Sequence, residues 1–246
     1  MIPKVIHYCW FGRNPLPELA QKCIASWREY LPDYEIKEWN EDNFDVNIIP
    51  YTAEAYKAKK YAFVSDYARF WILYRYGGLY FDTDVEVIRS MDDIIARGPF
   101  MGCENEAGNG VDKLYVAPGL GIGATPNMDI YYEFIKYYLP LSFDSEYKKG
   151  TETVVKYVSR ILSKHGLSDT NAVQNVYGIN IYPKEYFCPK DYKTGKISIT
   201  ENSVAIHHYG ASWVPWNETF ERRLWQMFGL KPHRIMWHVN QWIRNI

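Results

Sequence analysis

The stretch Gly77-Gly78-Leu79-Tyr80-Phe81-Asp82-Thr83-Asp84 joins a helix stop, a short apolar run and a pair of carboxylates. Leu79 to Phe81 has the composition of a buried strand, and the two glycines before it suit the end of a helix. Asp82 and Asp84 lie two apart, so an extended backbone sends both side chains to one side, where they can converge on a single cation. A hard divalent ion, Mn²⁺ or Mg²⁺, is commonly held by one or two carboxylates while phosphate oxygens and water complete its shell. An isolated Asp-x-Asp is a weak signal, because solvated turns also contain it, and the surroundings must decide.

Upstream, residues 52–76 carry the longest helical pattern in the chain. Phe63, Tyr67, Phe70 and Tyr74 form one apolar line, and Ala62, Asp66, Arg69 and Leu73 form the line beside it. Asp66 and Arg69 are therefore one turn apart on one face, where they make either an intrahelical ion pair or a pair of groups turned to a ligand. Further upstream, Val5 to Phe11 predicts a buried strand, Pro17 to Tyr30 a helix that Pro32 stops, and Tyr34 to Trp39 a second strand. An opening β-α-β unit suits a nucleotide-binding α/β domain.

Downstream, strands are expected at Gly98–Cys103, Leu114–Ala117, Ile179–Tyr182 and Ser203–His208, and helices at Asn127–Tyr138 and Thr151–His165. Gly119 to Gly123 is glycine-rich, as where backbone approaches a ligand closely. The last strand runs into His207-His208-Tyr209-Gly210-Ala211-Ser212-Trp213. The fold class expected is α/β, with residues 1–220 as one domain, a mixed central sheet flanked by helices, and residues 221–246 as a C-terminal helical extension. That tail mixes Arg222, Arg223, Lys231, Arg234 and Arg244 with Trp225, Phe228, Trp237 and Trp242, a pattern that fits packing on the domain or a peripheral membrane contact.

With 28 basic and 29 acidic residues the chain has a net charge of −1, so bulk electrostatic capture of nucleic acid is excluded and an anionic ligand must be held locally. Aromatic residues reach 17%, with 22 Tyr and 9 Trp, which suits stacking on sugar rings or bases as well as core packing. Cys9, Cys23, Cys103 and Cys188 are scattered without a C-x-x-C pair, which argues against zinc and a disulfide framework and for a reducing compartment. No stretch reaches the ~20 apolar residues of a span, so the expected location is cytoplasmic, with contact at the inner face of the membrane if the tail docks there.

The block from Ser65-Asp66-Tyr67-Ala68-Arg69-Phe70 through Asp84 resembles the signature of glycosyltransferase family 32. Ile2-Pro3-Lys4-Val5-Ile6-His7-Tyr8-Cys9-Trp10-Phe11-Gly12 is similar to that family's first strand, and His208-Tyr209 through Ser212-Trp213 to its closing metal-side motif. The resemblance implies a GT-A fold and a retaining, metal-dependent transfer of a hexose or N-acetylhexosamine from a nucleotide-sugar, with a UDP-sugar favoured over GDP-mannose. It implies Asp84 on the metal, Asp82 on the donor ribose or on the metal through water, and Asp66 and Arg69 on the donor sugar. Tyr8 and Trp10 would line the base pocket, while Ser212 and Trp213 would close over the diphosphate. His208 is the implied third metal ligand, with His207 the alternative, since strand alternation sends the two to opposite faces. The acceptor would be an oligosaccharide or lipid-linked saccharide in polysaccharide or lipopolysaccharide synthesis. A Thr-Gly-Pro frequent in the family has only a loose echo at Gly150-Thr151-Glu152.

Two other classes compete. An apolar strand feeding Asp-x-Asp also occurs in haloacid-dehalogenase-type phosphohydrolases, but there the strand lies near the N-terminus. A non-catalytic sugar-binding module would leave Asp66, Arg69, Asp82 and Asp84 without a task. A calcium loop through Asp82, Asp84 and Glu86 lacks the turn glycine.

Overall fold

The computed structural model describes residues 1–108, 113–143, 152–192 and 194–210. The chain runs β1 (Val5–Cys9), α1 (Glu18–Tyr30), β2 (Glu35–Trp39), α2 (Pro50–Lys57), α3 (Tyr61–Tyr76), β3 (Gly78–Tyr80) and β4 (Val85–Val87). It continues with α4 (Asp92–Ala96), β5 (Phe100–Gly102), β6 (Ile122–Ala124), α5 (Asp129–Tyr138), α6 (Val154–Lys164), β7 (Gln174–Val176), β8 (Ile179–Tyr182), α7 (Lys184–Phe187) and β9 (Ala205–His207). Seven strands form one mixed sheet in the order β2-β1-β3-β6-β5-β8-β7, and β4 pairs with β9 in a separate two-stranded sheet. Within the large sheet β1 is parallel to β2 and β3, β6 is antiparallel to β3 and β5, and β5 is parallel to β8.

Alternation along each strand feeds two cores, one on each face of the sheet. Cys9 and Tyr80 point into a core with Phe70, Tyr131, Phe134 and Tyr157, built mainly by α3, α5 and α6. Ile6, Tyr8 and Leu79 point the other way, to Trp27, Val85 and Phe187, beneath α1 and α7. Helices thus flank a mixed sheet, as the sequence predicts.

The expected single helix over 52–76 is broken. α2 ends at a left-handed Lys59 (φ 57°), with Lys60 N–H donating to Ala55 O at 2.9 Å and Lys59 N–H to Tyr56 O at 2.9 Å, the hydrogen bonds of a Schellman cap. α3 ends as expected: Gly77 (φ 63°) donates to Leu73 O, and a Cβ on Gly78 (φ 96°) would lie 2.7 Å from Val5 O. Leu114–Ala117 is not a strand. Leu114, Tyr115 and Val116 N–H go to side chains, those of Asp169, Asn105 and Ser159, and the backbone bonds to the end of β5 are Ala117 N–H to Gly102 O and Glu104 N–H to Tyr115 O, which make the bridge between Cys103 and Val116. Ser212, Trp213 and the expected helices of 221–246 lie outside the described residues.

Candidate active site

Strand β3 delivers Asp82 to the carboxyl end of the sheet, the edge at which open α/β sheets bind ligands. Residues 82–85 form a turn, with Val85 N–H donating to Asp82 O at 3.0 Å, so the two acids meet around a corner and not along an extended run. Asp82 N–H donates to Gly119 O at 3.3 Å, and Gly119 is pressed so close that a Cβ there would lie 2.1 Å from Asp82 Oδ2.

Arg69, only 4% exposed, links the helix to this turn. Its guanidinium lies 2.8 Å from Asp66 Oδ1 and 3.3 Å from Asp82 Oδ1, and sits over the Tyr80 ring at 5.1 Å. Nε donates to Ser65 O at 3.2 Å, and Tyr80 Oη donates to Asp82 Oδ1 at 3.1 Å. The Asp66–Arg69 ion pair is therefore made within the helix, and the same guanidinium also braces the first acid of the pair. Burial pushes Asp66 up to about 6 against the pull of Arg69. Burial likewise raises Asp82, with Arg69 opposing and Asp84 adding to the rise.

Asp84 is fixed from the other side. Its Oδ2 accepts from Gly210 N–H at 2.7 Å, and its Oδ1 lies 3.3 Å from His207 Nε2. Burial alone would raise its pKa, but the His207 charge, the imidazole hydrogen bond and backbone donors hold it at about 2. One ligand atom from each of Asp82, Asp84 and His207 falls within 4.8 Å of the others. Two carboxylates and an imidazole make a donor set that suits Mn²⁺ or Mg²⁺, and the ring's Nδ1 is buried without a hydrogen-bond partner.

Of the two histidines offered as third ligand, His208 preferred and His207 the alternative, it is His207 that lies with Asp82 and Asp84. In the β4–β9 pair, Val85, Val87 and Ala205 are buried on the inward face, and His207, opposite Val85, continues that face to the site. His208 points the other way, where its Nε2 lies 2.6 Å from Glu86 and Glu86 lies 2.9 Å from Lys22. Alternation separates the two histidines as expected, but it is the register with β4 that selects His207.

The first-strand aromatics divide as well. Tyr8 is 6% exposed, packed edge-on against Trp27 at 5.8 Å, and its hydroxyl donates to Glu38 at 2.6 Å, so its ring is taken up by the core and not by a pocket. Trp10 is half-buried past the end of β1, its indole N–H donating to Asn14 O at 2.6 Å. Three residues of the site escape the sequence reading. Gly119 was marked only as part of a glycine-rich run. Tyr80 looked like core alone. Glu104, beyond β5, is raised by burial and lies within electrostatic reach of His207 and Lys184, with no spacing in the sequence to announce it.

Residues 17–101 match the model of a family described as the glycosyltransferase sugar-binding region containing DXD motif. The chain is 34% identical over 98 residues to inositol phosphoceramide mannosyltransferase 3 of Schizosaccharomyces pombe, covering 38% of this chain and 27% of that protein. It is 29% identical over 126 residues to the mannosyl phosphorylinositol ceramide synthase CSH1 of Saccharomyces cerevisiae, covering 48% of this chain and 32% of that one. The matches thus span about a third or less of these relatives' lengths. Among solved structures, PaToxG glycosyltransferase superposes with a TM-score of 0.49 at 20% identity, covering 66% of this chain and 69% of that one. The galactosyltransferase LgtC with donor and acceptor sugar analogues gives 0.40 at 12% identity, covering 89% and 92%. Residues 17–101, which hold Asp66, Arg69, Asp82 and Asp84, are thus the part of the chain that is similar to the DXD-containing glycosyltransferases.

Proposed function

We propose that the protein is a metal-dependent, retaining GT-A glycosyltransferase that moves a hexose or N-acetylhexosamine from a nucleotide-sugar to a saccharide acceptor. The observation that carries it is the convergence of Asp82, Asp84 and His207 beside a buried Arg69 already held by Asp66. Asp82, Asp84 and His207 would hold Mn²⁺ or Mg²⁺, which supplies a Lewis acid for the charge that grows on the departing nucleoside diphosphate. Arg69, fixed before substrate arrives, offers guanidinium donors to the donor sugar or its phosphate, and Asp66 accepts from sugar hydroxyls, so no reorganisation is needed at the moment of reaction. Trp10 lines the base side of the donor. Attack by the acceptor from the face of the leaving group accounts for retention without a protein nucleophile.

A UDP-sugar is the favoured donor with GDP-mannose second, and the mannosyltransferase names of the relatives support keeping the latter. An oligosaccharide or lipid-linked saccharide is the acceptor. No helix among the described residues is long and apolar enough to cross a membrane. Four buried, unpaired cysteines support a reducing, cytoplasmic setting.

The test is a panel of nucleotide-sugars scored by thermal melting with and without Mn²⁺, since a ligand that binds only the folded state raises the melting point. Asp84→Ala and His207→Ala should abolish the Mn²⁺-dependent shift and the turnover of the active donor, while His208→Ala keeps the shift. Undiminished turnover after chelation, or in the Asp82→Ala/Asp84→Ala double variant, would overturn the assignment.

A further inference from the structure

His207 is fixed on one side only. Its Nε2 lies 3.3 Å from Asp84 Oδ1, whereas its Nδ1 is shut off from solvent and makes no aligned hydrogen bond. Once an ion takes the Nε2 lone pair, the ring's single proton must sit on Nδ1, and a buried N–H without an acceptor is costly. A ligating imidazole almost always gives that proton to an acceptor behind it, which sets both the tautomer and the plane of the ring.

What stands on that side is a thiol. Cys188, just past the end of α7, is fully buried, and its Sγ lies 2.9 Å from Tyr209 Oη. Tyr209 in turn packs edge-on against the His207 ring, with centroids 4.4 Å apart, from a left-handed backbone (φ 55°). A tyrosine adopts that conformation only where its surroundings hold it, and here the same turn brings His208 N–H to Asp84 O at 2.8 Å and Gly210 N–H to Asp84 Oδ2 at 2.7 Å. Burial lowers the pKa of His207, but Asp84 and then contact with Cys188 raise it well above the usual range, so the ring feels the thiol.

We propose that Cys188 is the positioning residue of the metal ligand: its sulfur accepts Nδ1–H of His207 when the ion holds Nε2, and its own S–H donates on to Tyr209 Oη. A thiol has one proton to give and a lone pair to receive one, so His207, Cys188 and Tyr209 each pass a single hydrogen bond to the next. The inference rests on the metal-site reading above and adds the group that keeps His207 in its ligating tautomer.

The experiment is titration of the full chain with Mn²⁺ alone, read by electron paramagnetic resonance of the free ion. Cys188→Ala should weaken Mn²⁺ binding about tenfold or more, whereas Cys188→Ser, which keeps one donor and one acceptor, should stay within about threefold of wild type. Cys103→Ala truncates a thiol buried to the same degree beside the end of β5 and should leave Mn²⁺ affinity unchanged. In wild type loaded with diamagnetic Mg²⁺, NMR of ¹⁵N-labelled histidine should place the His207 proton on Nδ1, in slow exchange with water, a readout that requires no variant to fold. Wild-type affinity in Cys188→Ala, an equal loss in Cys188→Ser or in Cys103→Ala, or an Nδ1 proton that exchanges like that of an exposed histidine each overturns the role of Cys188 and leaves the metal site standing. Failure of wild type to bind either ion overturns both.

Discussion

Asp82 is held by four contacts: Arg69 and Tyr80 on Oδ1, a backbone bond to Gly119, and the bare Cα of Gly119 against Oδ2. A methyl group at Gly119 would fall 2.1 Å from Oδ2, and the atom it strikes is the tip of a side chain able to turn away. The fold absorbs that rotation cheaply, whereas the site does not, because displacing one member of a preorganised set by about 1 Å is worth on the order of a hundredfold in rate. Gly119→Ala should therefore lower turnover by roughly that factor while the melting point moves by only a few degrees. Activity within about twofold of wild type would show that Asp82 is not held by this contact. Asp66, Arg69, Asp82 and Asp84 are picked out by the resemblance of residues 65–84 to the family signature, since the i, i+3 spacing fits a plain ion pair equally well and an isolated Asp-x-Asp is weak. Gly119 and Glu104 are not, since their roles arise from packing between segments remote in sequence. His207 could not be separated from His208 without the register of β9 on β4.

Residues 50–76 fold as two helices where hydrophobic periodicity supports one, because periodicity is blind to a single left-handed residue. Tyr56, Tyr61 and Phe63 continue the apolar pattern across the break, and neither Gly nor Pro marks it. The break lets Tyr56 reach Glu41 while Tyr61 packs on Gly12. Lys59 carries the strain of φ 57° with an exposed side chain. A left-handed conformation costs an L-residue roughly 1–2 kcal/mol, part of which glycine returns to the unfolded chain as entropy. Lys59→Gly should thus stabilise the protein by about 0.5–1 kcal/mol, read as a higher urea midpoint at unchanged slope. A lower midpoint would mean that the Lys59 side chain makes contacts worth more than the strain. The strands and helices with strong patterns, β1, α1, β2, β3, α5 and α6, lie within a few residues of where the sequence puts them, whereas Leu114–Ala117 makes only a bridge to the end of β5 because Asp169 and Ser159 take two of its amides.

At the scale of the molecule, the order in which seven strands assemble was not legible, because pairing between β3 and β6 or β5 and β8 depends on which faces meet and not on local pattern. One residue ties three of the assembled parts together. His7 on β1 is 2% exposed; its Nε2 lies 3.0 Å from Gly77 O at the end of α3, and its Nδ1 accepts from Trp39 Nε1 at 3.1 Å on β2. Since an indole N–H only donates, Nδ1 must be bare, and the proton sits on Nε2, donated to Gly77. A second proton has no place in this arrangement, and burial, with Lys37 nearby, lowers the pKa to about 4 although the Gly77 bond opposes it. The unfolded chain takes up that proton near 6.5, so between pH 6.5 and 4 the unfolded state binds more protons and stability must fall as pH falls, by about 3 kcal/mol in all. Above pH 6.5 both states are neutral at His7 and the term is constant. His7→Gln keeps one donor and one acceptor but cannot titrate, so urea denaturation between pH 4 and 7 should show a markedly shallower acid loss in the variant. Parallel loss in the two proteins would move the acid sensitivity of this fold away from the strand–helix junction and onto its carboxylates.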